Sequence, residues 1–319
     1  MSKKALIVSL KYHPGHYSHL IAYYMLLEEV GYESTLYINK KFAELDVDNT
    51  FSKVYKLKLL DYQEFDCIMF LFPSIKNISK MIMFNVFGSA KIFYLFHEPI
   101  ASFKEFYQSG FGGLRVAKLF LIDGVNKLSL ILSNSVILAS QKALAIYNRK
   151  YKLLNSNILL MPLIYDDENL SKRSNYREKR YISYIGTVAP DHAFAKFMNY
   201  VEHAVANDLF MNYKFLIATS SSLDRKFIFK SEKGEISDRL EIVDGRWLSN
   251  REINRFYAKS LLVWNAYDRS TQSGVLPKSF MFGTPVLGNY RLTNEYLSQC
   301  KNGIYLNDNS DFVEITKAR

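Results

Sequence analysis

Short, unbroken apolar runs alternate along this chain with longer helical stretches, and the series occurs twice. Ala5–Leu10, Ser34–Asn39, Cys67–Phe72, Lys91–Phe96 and Ser135–Ala139 form the first set, and Tyr181–Ile185, Tyr213–Ala218, Leu240–Val243, Leu261–Trp264 and Pro285–Leu287 the second. A run this short without polar alternation suits a strand buried on both faces, as in a parallel sheet covered by helices. Helical stretches fall between the runs at 18–30, 113–130, 142–150 and 193–206. Ser18 is the expected N-cap of the first, and Gly31 stands where its end calls for a left-handed residue.

The pattern breaks near residues 162–180, at Pro162, Asp166-Asp167-Glu168 and the polar stretch Ser171–Arg180. The expected organisation is a Rossmann-like domain over 1–165, a linker over 166–180 and a second Rossmann-like domain over 181–319. The expected fold class is therefore α/β, with two doubly wound domains facing each other across a cleft. Ligands would sit at the carboxyl ends of the strands.

Composition narrows the function classes. With 319 residues, 49% of them hydrophobic, the chain can bury two cores. Two cysteines, Cys67 and Cys300, supply neither a disulfide framework nor a cysteine-rich zinc module. The opening MSKKALIVSL reaches Lys11 and His13 too soon for a signal peptide, and the apolar stretch Met81–Phe96 is broken by Lys91. These features lead us to expect a cytoplasmic protein with room for peripheral attachment to the inner face of the membrane. Forty-one Lys and Arg against 31 Asp and Glu give a net charge of +10, which favours anionic partners. No GxGxxG follows the first strand, and neither GxxxxGK[ST] nor GxSxG occurs, which argues against dinucleotide, P-loop and α/β-hydrolase chemistry. No nucleic-acid module emerges from the scattered basic residues.

The stretch Trp264–Leu287 carries the most chemistry. A strand ends near Trp264, a polar loop follows, and Ser273-Gly274 leads into a short helix with Pro277 in its first turn and Gly283 at its end. The unsatisfied amides of such a helix start attract phosphate, and Arg269 or Lys278 would add countercharge. An ordinary strand–loop–helix corner is the competing reading.

The runs Gln272-Ser273-Gly274-Val275, Gly283-Thr284-Pro285-Val286 and Asn302-Gly303-Ile304-Tyr305-Leu306 resemble the donor-binding half of GT-B glycosyltransferases, most closely the retaining family-4 type. Tyr184-Ile185-Gly186 is similar to the glycine ending that domain's first strand, and Pro14-Gly15-His16 and His97-Glu98-Pro99 fit the acceptor half. The resemblance implies a nucleotide-diphosphate sugar as donor substrate, a polysaccharide, glycolipid or lipid-linked acceptor, no cofactor and no required metal. It implies donor phosphates at Gln272, Ser273, Gly274, Val275, Arg269 and Lys278, and the nucleoside and sugar at Gly186, Thr187, Arg246 and Tyr267. It further implies catalytic roles for His97 and Glu98, and an acceptor-facing loop at Gly15 and His16. The family's Glu-x7-Glu pair is replaced by Ser270 and Lys278, which leaves donor identity and stereochemistry open.

His13, His16 and His19 lie three apart, but Pro14 and Gly15 break any helix there and no Cys or carboxylate joins them, so a metal site is not expected. Residues 103–132 mix Phe103, Phe106, Tyr107, Phe111, Leu114, Phe120 and Leu121 with Lys104, Arg115, Lys118 and Lys127. That mixture suits either contact with an anionic membrane or a core helix with a basic outer face. Two other functions compete with transfer: a nucleotide-sugar 2-epimerase, for which Glu98 and Glu295 are the available carboxylates, and a catalytically impaired GT-B partner that only binds. Only Asn307–Arg319 follows the last strand, so a short or truncated C-terminus is expected.

Overall fold

The computed structural model describes residues 2–45, 50–100, 102–108, 110–168, 179–224, 238–270, 273–289 and 302–306. The chain divides into two compact units, Met1–Asp166 and Asp167–Arg319.

The first unit is a seven-stranded sheet of β1 (Lys3–Ser9), β2 (Tyr32–Ile38), β3 (Lys53–Val54), β4 (Cys67–Phe70), β5 (Lys91–Leu95), β6 (Ser135–Leu138) and β7 (Ile158–Leu160). The order is β3-β2-β1-β4-β5-β6-β7, and every pairing is parallel. Its helices are α1 (Tyr17–Glu29), α2 (Ile75–Phe87), α3 (Phe103–Gln108), α4 (Gly113–Leu132) and α5 (Gln141–Lys150). The strand β1 shows why its run is unbroken. Ala5 and Ile7 pack with Leu20, Tyr23 and Leu27 of α1 on one face. Leu6 and Val8 pack with Met81, Phe84, Ala143 and Tyr147 of α2 and α5 on the other. All four β1 side chains are fully buried, so no polar alternation is tolerated.

The second unit is a six-stranded parallel sheet, β10-β9-β8-β11-β12-β13, built from β8 (Tyr181–Ile185), β9 (Lys214–Ala218), β10 (Leu240–Val243), β11 (Ser260–Asn265), β12 (Val286–Asn289) and β13 (Gly303–Leu306). Helix α6 (Phe194–Ala206) covers one face through Phe197, Tyr200 and Val201, against Ile182, Tyr184 and Trp264. Helices α7 (Asn250–Lys259) and α8 (Val275–Met281) cover the other through Tyr257, Val275 and Leu276, against Ile185 and Val263. In each unit the first strand in sequence, β1 or β8, has neighbours reached by crossovers in opposite directions. This switch point opens a crevice at the strands' carboxyl ends.

Two local expectations are corrected. Ser18 is not the N-cap of α1; His16 occupies that position without a side-chain cap, and Ser18 lies buried in the first turn. There its hydroxyl accepts the Asp166 amide at 3.1 Å, a tertiary contact stronger than a local capping preference. Strands β3, β7 and β13 lie outside the ten apolar runs, and each is at a sheet edge, where two-sided burial is not required.

Candidate functional site

In the second unit the loops after β8, β9 and β11 are bonded to one another at the sheet's carboxyl edge. Gly186 follows β8 with φ of 139°, backbone that side-chain-bearing residues rarely adopt. The Thr187 carbonyl accepts the Tyr184 hydroxyl at 2.9 Å and His192 Nδ1 at 2.6 Å, so that nitrogen carries the imidazole hydrogen. The Val188 amide donates to Ser221 Oγ at 3.0 Å, tying in the loop after β9. His192 also stacks on Tyr267, with ring centroids 4.3 Å apart and planes 7° apart.

Tyr267 is buried beneath this stack, and burial pushes its phenol up to about 12, against a hydrogen bond with Ser273 that lowers it. The Tyr267 carbonyl accepts Asn289 Nδ2 at 3.1 Å, anchoring the loop to β12. Arg269 pairs with the buried Asp191 at 3.3 Å, and the Asp268 amide donates to the Asp191 carbonyl at 2.8 Å. Gly186, Thr187, Tyr267, Arg269 and Ser273 are thus brought together. Gly274 is the N-cap of α8, and Ser273 Oγ accepts the Val275 amide at 3.3 Å. Gln272 and Glu295 lie outside the described residues.

Three residues take different surroundings. Lys278, expected beside phosphate, gives its ammonium to Glu168 at 2.5 Å and Asn254 at 3.2 Å, in an ion pair whose side chains are only 13% and 12% exposed. Arg246 lies beyond β10 and is bonded to Glu252 at 2.5 Å and to the Trp247 carbonyl. Glu252 closes a capping box with Ser249 at the start of α7, and the Arg246 guanidinium, then Ser249, hold its carboxyl down at about 2. Thr284 has an internal duty: its hydroxyl donates to the Tyr257 carbonyl and accepts the buried Lys179 ammonium at 2.8 Å. Burial lowers that lysine to about 8.

In the first unit four histidines gather around Phe72, just past β4. His16 stacks on Phe72 with centroids 3.5 Å and planes 9° apart, and the His13 ring lies 4.7 Å from His16. His19, in the first turn of α1, lies 4.0 Å from Tyr165 and 6.5 Å from His97. Its Nδ1 donates to the Ile164 carbonyl at 2.7 Å. His97 follows β5 and packs edge-on to Phe72 at 6.3 Å, while Glu98 beside it is exposed. Burial drives the His97 pKa below 6.5 despite the opposing Glu98 charge. Burial first, and then the neighbouring histidines and Lys11, push His16 down to about 2. These rings are neutral at pH 7, and Nδ1 of both His16 and His97 is buried with no hydrogen-bond partner.

Of the residues expected from the sequence, His16 and His97 lie together here, and the fold adds Phe72 and Tyr165, which no local pattern singled out. Among the described residues no group of three or more His, Cys, Asp or Glu side chains is disposed to hold a metal. Beside the ends of β1 and β2 opens a cavity of about 440 Å³, whose lining includes Tyr37, Lys40, Tyr55, Lys76 and Lys80.

Solved structures match this architecture over nearly the whole chain. Anabaena HepE in complex with UDP-glucose is 12% identical, with 98% of this chain and 88% of that chain covered and a TM-score of 0.67. WaaG, a glycosyltransferase involved in lipopolysaccharide biosynthesis, is 12% identical, with 98% and 89% covered and a TM-score of 0.60. A Listeria monocytogenes protein described as a UDP-N-acetylglucosamine 2-epimerase is 12% identical, with 90% and 79% covered and a TM-score of 0.58. No family model and no curated protein matches the chain. At these identities the likeness establishes the fold: two Rossmann-like units of the GT-B type.

Proposed function

We propose that the protein is a glycosyltransferase that moves a sugar from a nucleotide-diphosphate sugar to a glycan, glycolipid or lipid-linked acceptor, without metal and with retention. The observation that carries the reading is the joined edge of the second unit, where the Gly186 turn, the His192–Tyr267 stack and the start of α8 converge. The amides after Ser273 and Gly274, with Arg269, suit a leaving diphosphate, because developing negative charge there meets positioned N–H groups. Gly186, Thr187 and Tyr267 suit the nucleoside side of the donor, with Arg246 at the rim. His97 then acts on the transferred sugar as a neutral hydrogen-bonding group, with Glu98 beside it to hold or deprotonate an acceptor hydroxyl.

The acceptor belongs to the first unit, at the Gly15–His16 loop. The cavity beside the ends of β1 and β2, with Lys40, Lys76 and Lys80, favours an acceptor that carries negative charge. HepE with UDP-glucose and WaaG, two proteins of this fold, support nucleotide-sugar chemistry. A binding-only role is the second reading, favoured by Ser270 and the internally paired Lys278 at the positions of the missing glutamates.

Incubation with a panel of nucleotide sugars tests both. Slow release of nucleoside diphosphate from one donor supports transfer, whereas tight binding with no release supports the binding role. Conversion of a donor into its 2-epimer would instead identify an epimerase, and neither binding nor turnover of any donor would sink the proposal.

A further inference from the structure

Helix α4 is amphipathic in the reverse sense. Its inward side carries three polar groups, Asp123, Asn126 and Ser129, buried beside Leu130. The Tyr94 hydroxyl donates to Asn126 at 2.6 Å and the Tyr151 hydroxyl to Asp123 at 2.5 Å, while Lys127 and Lys150 neutralise Asp123 at 3.0 and 3.6 Å. Its outward side carries Leu114, Leu121, Leu128 and Ile131, at the spacing of one helical stripe, with Phe120 on the flank. Leu114 is 92% exposed, Leu121 72% and Phe120 63%.

Exposed apolar side chains occur on the neighbouring helices as well. Tyr107 of α3 and Val86 of α2 are exposed too, and both helices pack on α4. Core packing accounts for the buried Leu130 and the partly buried Val116, Leu119 and Leu132, but not for Leu114, Phe120, Leu121, Leu128 and Ile131, which stand exposed. An exposed apolar stripe of this kind marks a binding face.

Charge selects the occupant. Exposed Lys104, Arg115 and Lys118 border the stripe, and the acids within 103–132 are Glu105 and the buried, neutralised Asp123. A second copy of the chain would set these cations against one another with little carboxylate to receive them. A partner that is apolar beneath a layer of negative charge satisfies both features, and a 20-residue helix lying flat presents about 30 Å of contact.

We propose that α4, with the adjoining ends of α2 and α3, docks the protein on an anionic lipid bilayer, with Leu114, Phe120 and Leu121 in the acyl boundary and Arg115 and Lys118 on the headgroups. Among the described residues no helix is long and apolar enough to cross a membrane, so the proposed mode is attachment in the plane of the interface. This inference stands independently of the transfer reaction.

The test is flotation of the full-length protein with vesicles of one part phosphatidylglycerol to two parts phosphatidylcholine, and with pure phosphatidylcholine. The expected result is binding to the anionic vesicles, weakened by salt. Leu114→Ser/Leu121→Ser and, separately, Arg115→Glu/Lys118→Glu should each reduce the partition coefficient about ten-fold or more, since each basic group near an anionic surface contributes several-fold. Leu153→Ser, at a fully exposed leucine outside these helices, should bind like the parent. Two different pairs of surface substitutions, each checked for parental near-UV circular dichroism, separate lost docking from lost folding. Absence of parental binding to anionic vesicles overturns the proposal, as does binding unchanged in both folded double variants. A parental dimer that Leu114→Ser/Leu121→Ser converts to monomer, without vesicle binding, overturns it in favour of self-association.

Discussion

The two half-buried imidazoles of the first unit, His16 and His97, give different predictions because their surroundings differ. His97 stands at the carboxyl end of β5, where a group can meet a transferred sugar, and its Nδ1 has no hydrogen-bond partner. His97→Ala should lower turnover by ~10²–10³ while leaving nucleotide affinity near the parent, since a positioned donor acts mainly in the transition state. Measuring melting temperature, affinity and turnover on one sample checks this; near-parental turnover in the folded variant removes His97 from the site. With its pKa below 6.5, the acid limb of turnover should also fall below that value. His16 instead couples pH to stability. Its folded pKa is near 2 and its unfolded value 6.5, so below pH 6.5 the unfolded chain binds the extra proton first. Stability is therefore present above pH 6.5 and is lost as pH falls, by up to ~1.4 kcal/mol per pH unit. His16→Phe keeps a ring against Phe72, and its denaturant midpoint should fall less steeply between pH 6.5 and 4.5 than the parent's. An identical pH slope would show that the ring titrates normally.

Among the elements, α8 tests the donor side. Gly274 has φ of −66°, which any residue adopts, so its lack of a side chain is not required by the backbone. Gly274→Val should accordingly fold, yet place a branched side chain over the first-turn amides and weaken nucleoside diphosphate binding by about ten-fold or more; a ten-fold loss is ~1.4 kcal/mol. Calorimetric titration with the diphosphate checks it, and parental affinity would move the cradle elsewhere. The same scale shows what was legible in the sequence. Fully buried strands announce themselves through unbroken apolar runs, so all five runs in each half fall on strands. The edge strands β3, β7 and β13 fall outside those runs, whereas the fourth edge strand, β10, is among them. Ser273 and Gly274 stood out as a helix start and His97 by its place after a run, whereas Gly186 was singled out only through the family resemblance. Phe72 beneath His16, the Lys278–Glu168 pair and the buried polar side of α4 were not, because each depends on a partner distant in sequence.

At the scale of the molecule, each unit has cores of its own, and the chain carries a net charge of +10. A diphosphate leaving group needs its growing charge neutralised, and a transferase can do this with a divalent cation or with its own groups. Under the proposed function the second unit neutralises it with its own groups, the Ser273 and Gly274 amides and the Arg269 guanidinium, which is itself held in place by Asp191 at 3.3 Å. That pairing weakens Arg269 as a source of net charge but fixes its direction, which favours stabilisation that needs no rearrangement during reaction. Transfer is therefore expected to survive chelation. Protein stripped with EDTA and assayed in its presence should keep most of its activity, and added magnesium or manganese should change the rate less than two-fold. Arg269→Lys should lower turnover by about ten-fold or more, because a lysine cannot reproduce the planar fork that meets Asp191 and phosphate together. If chelation abolishes transfer and manganese restores it, the positive charge comes from a bound cation, and the role assigned to Arg269 and the α8 amides falls with that result.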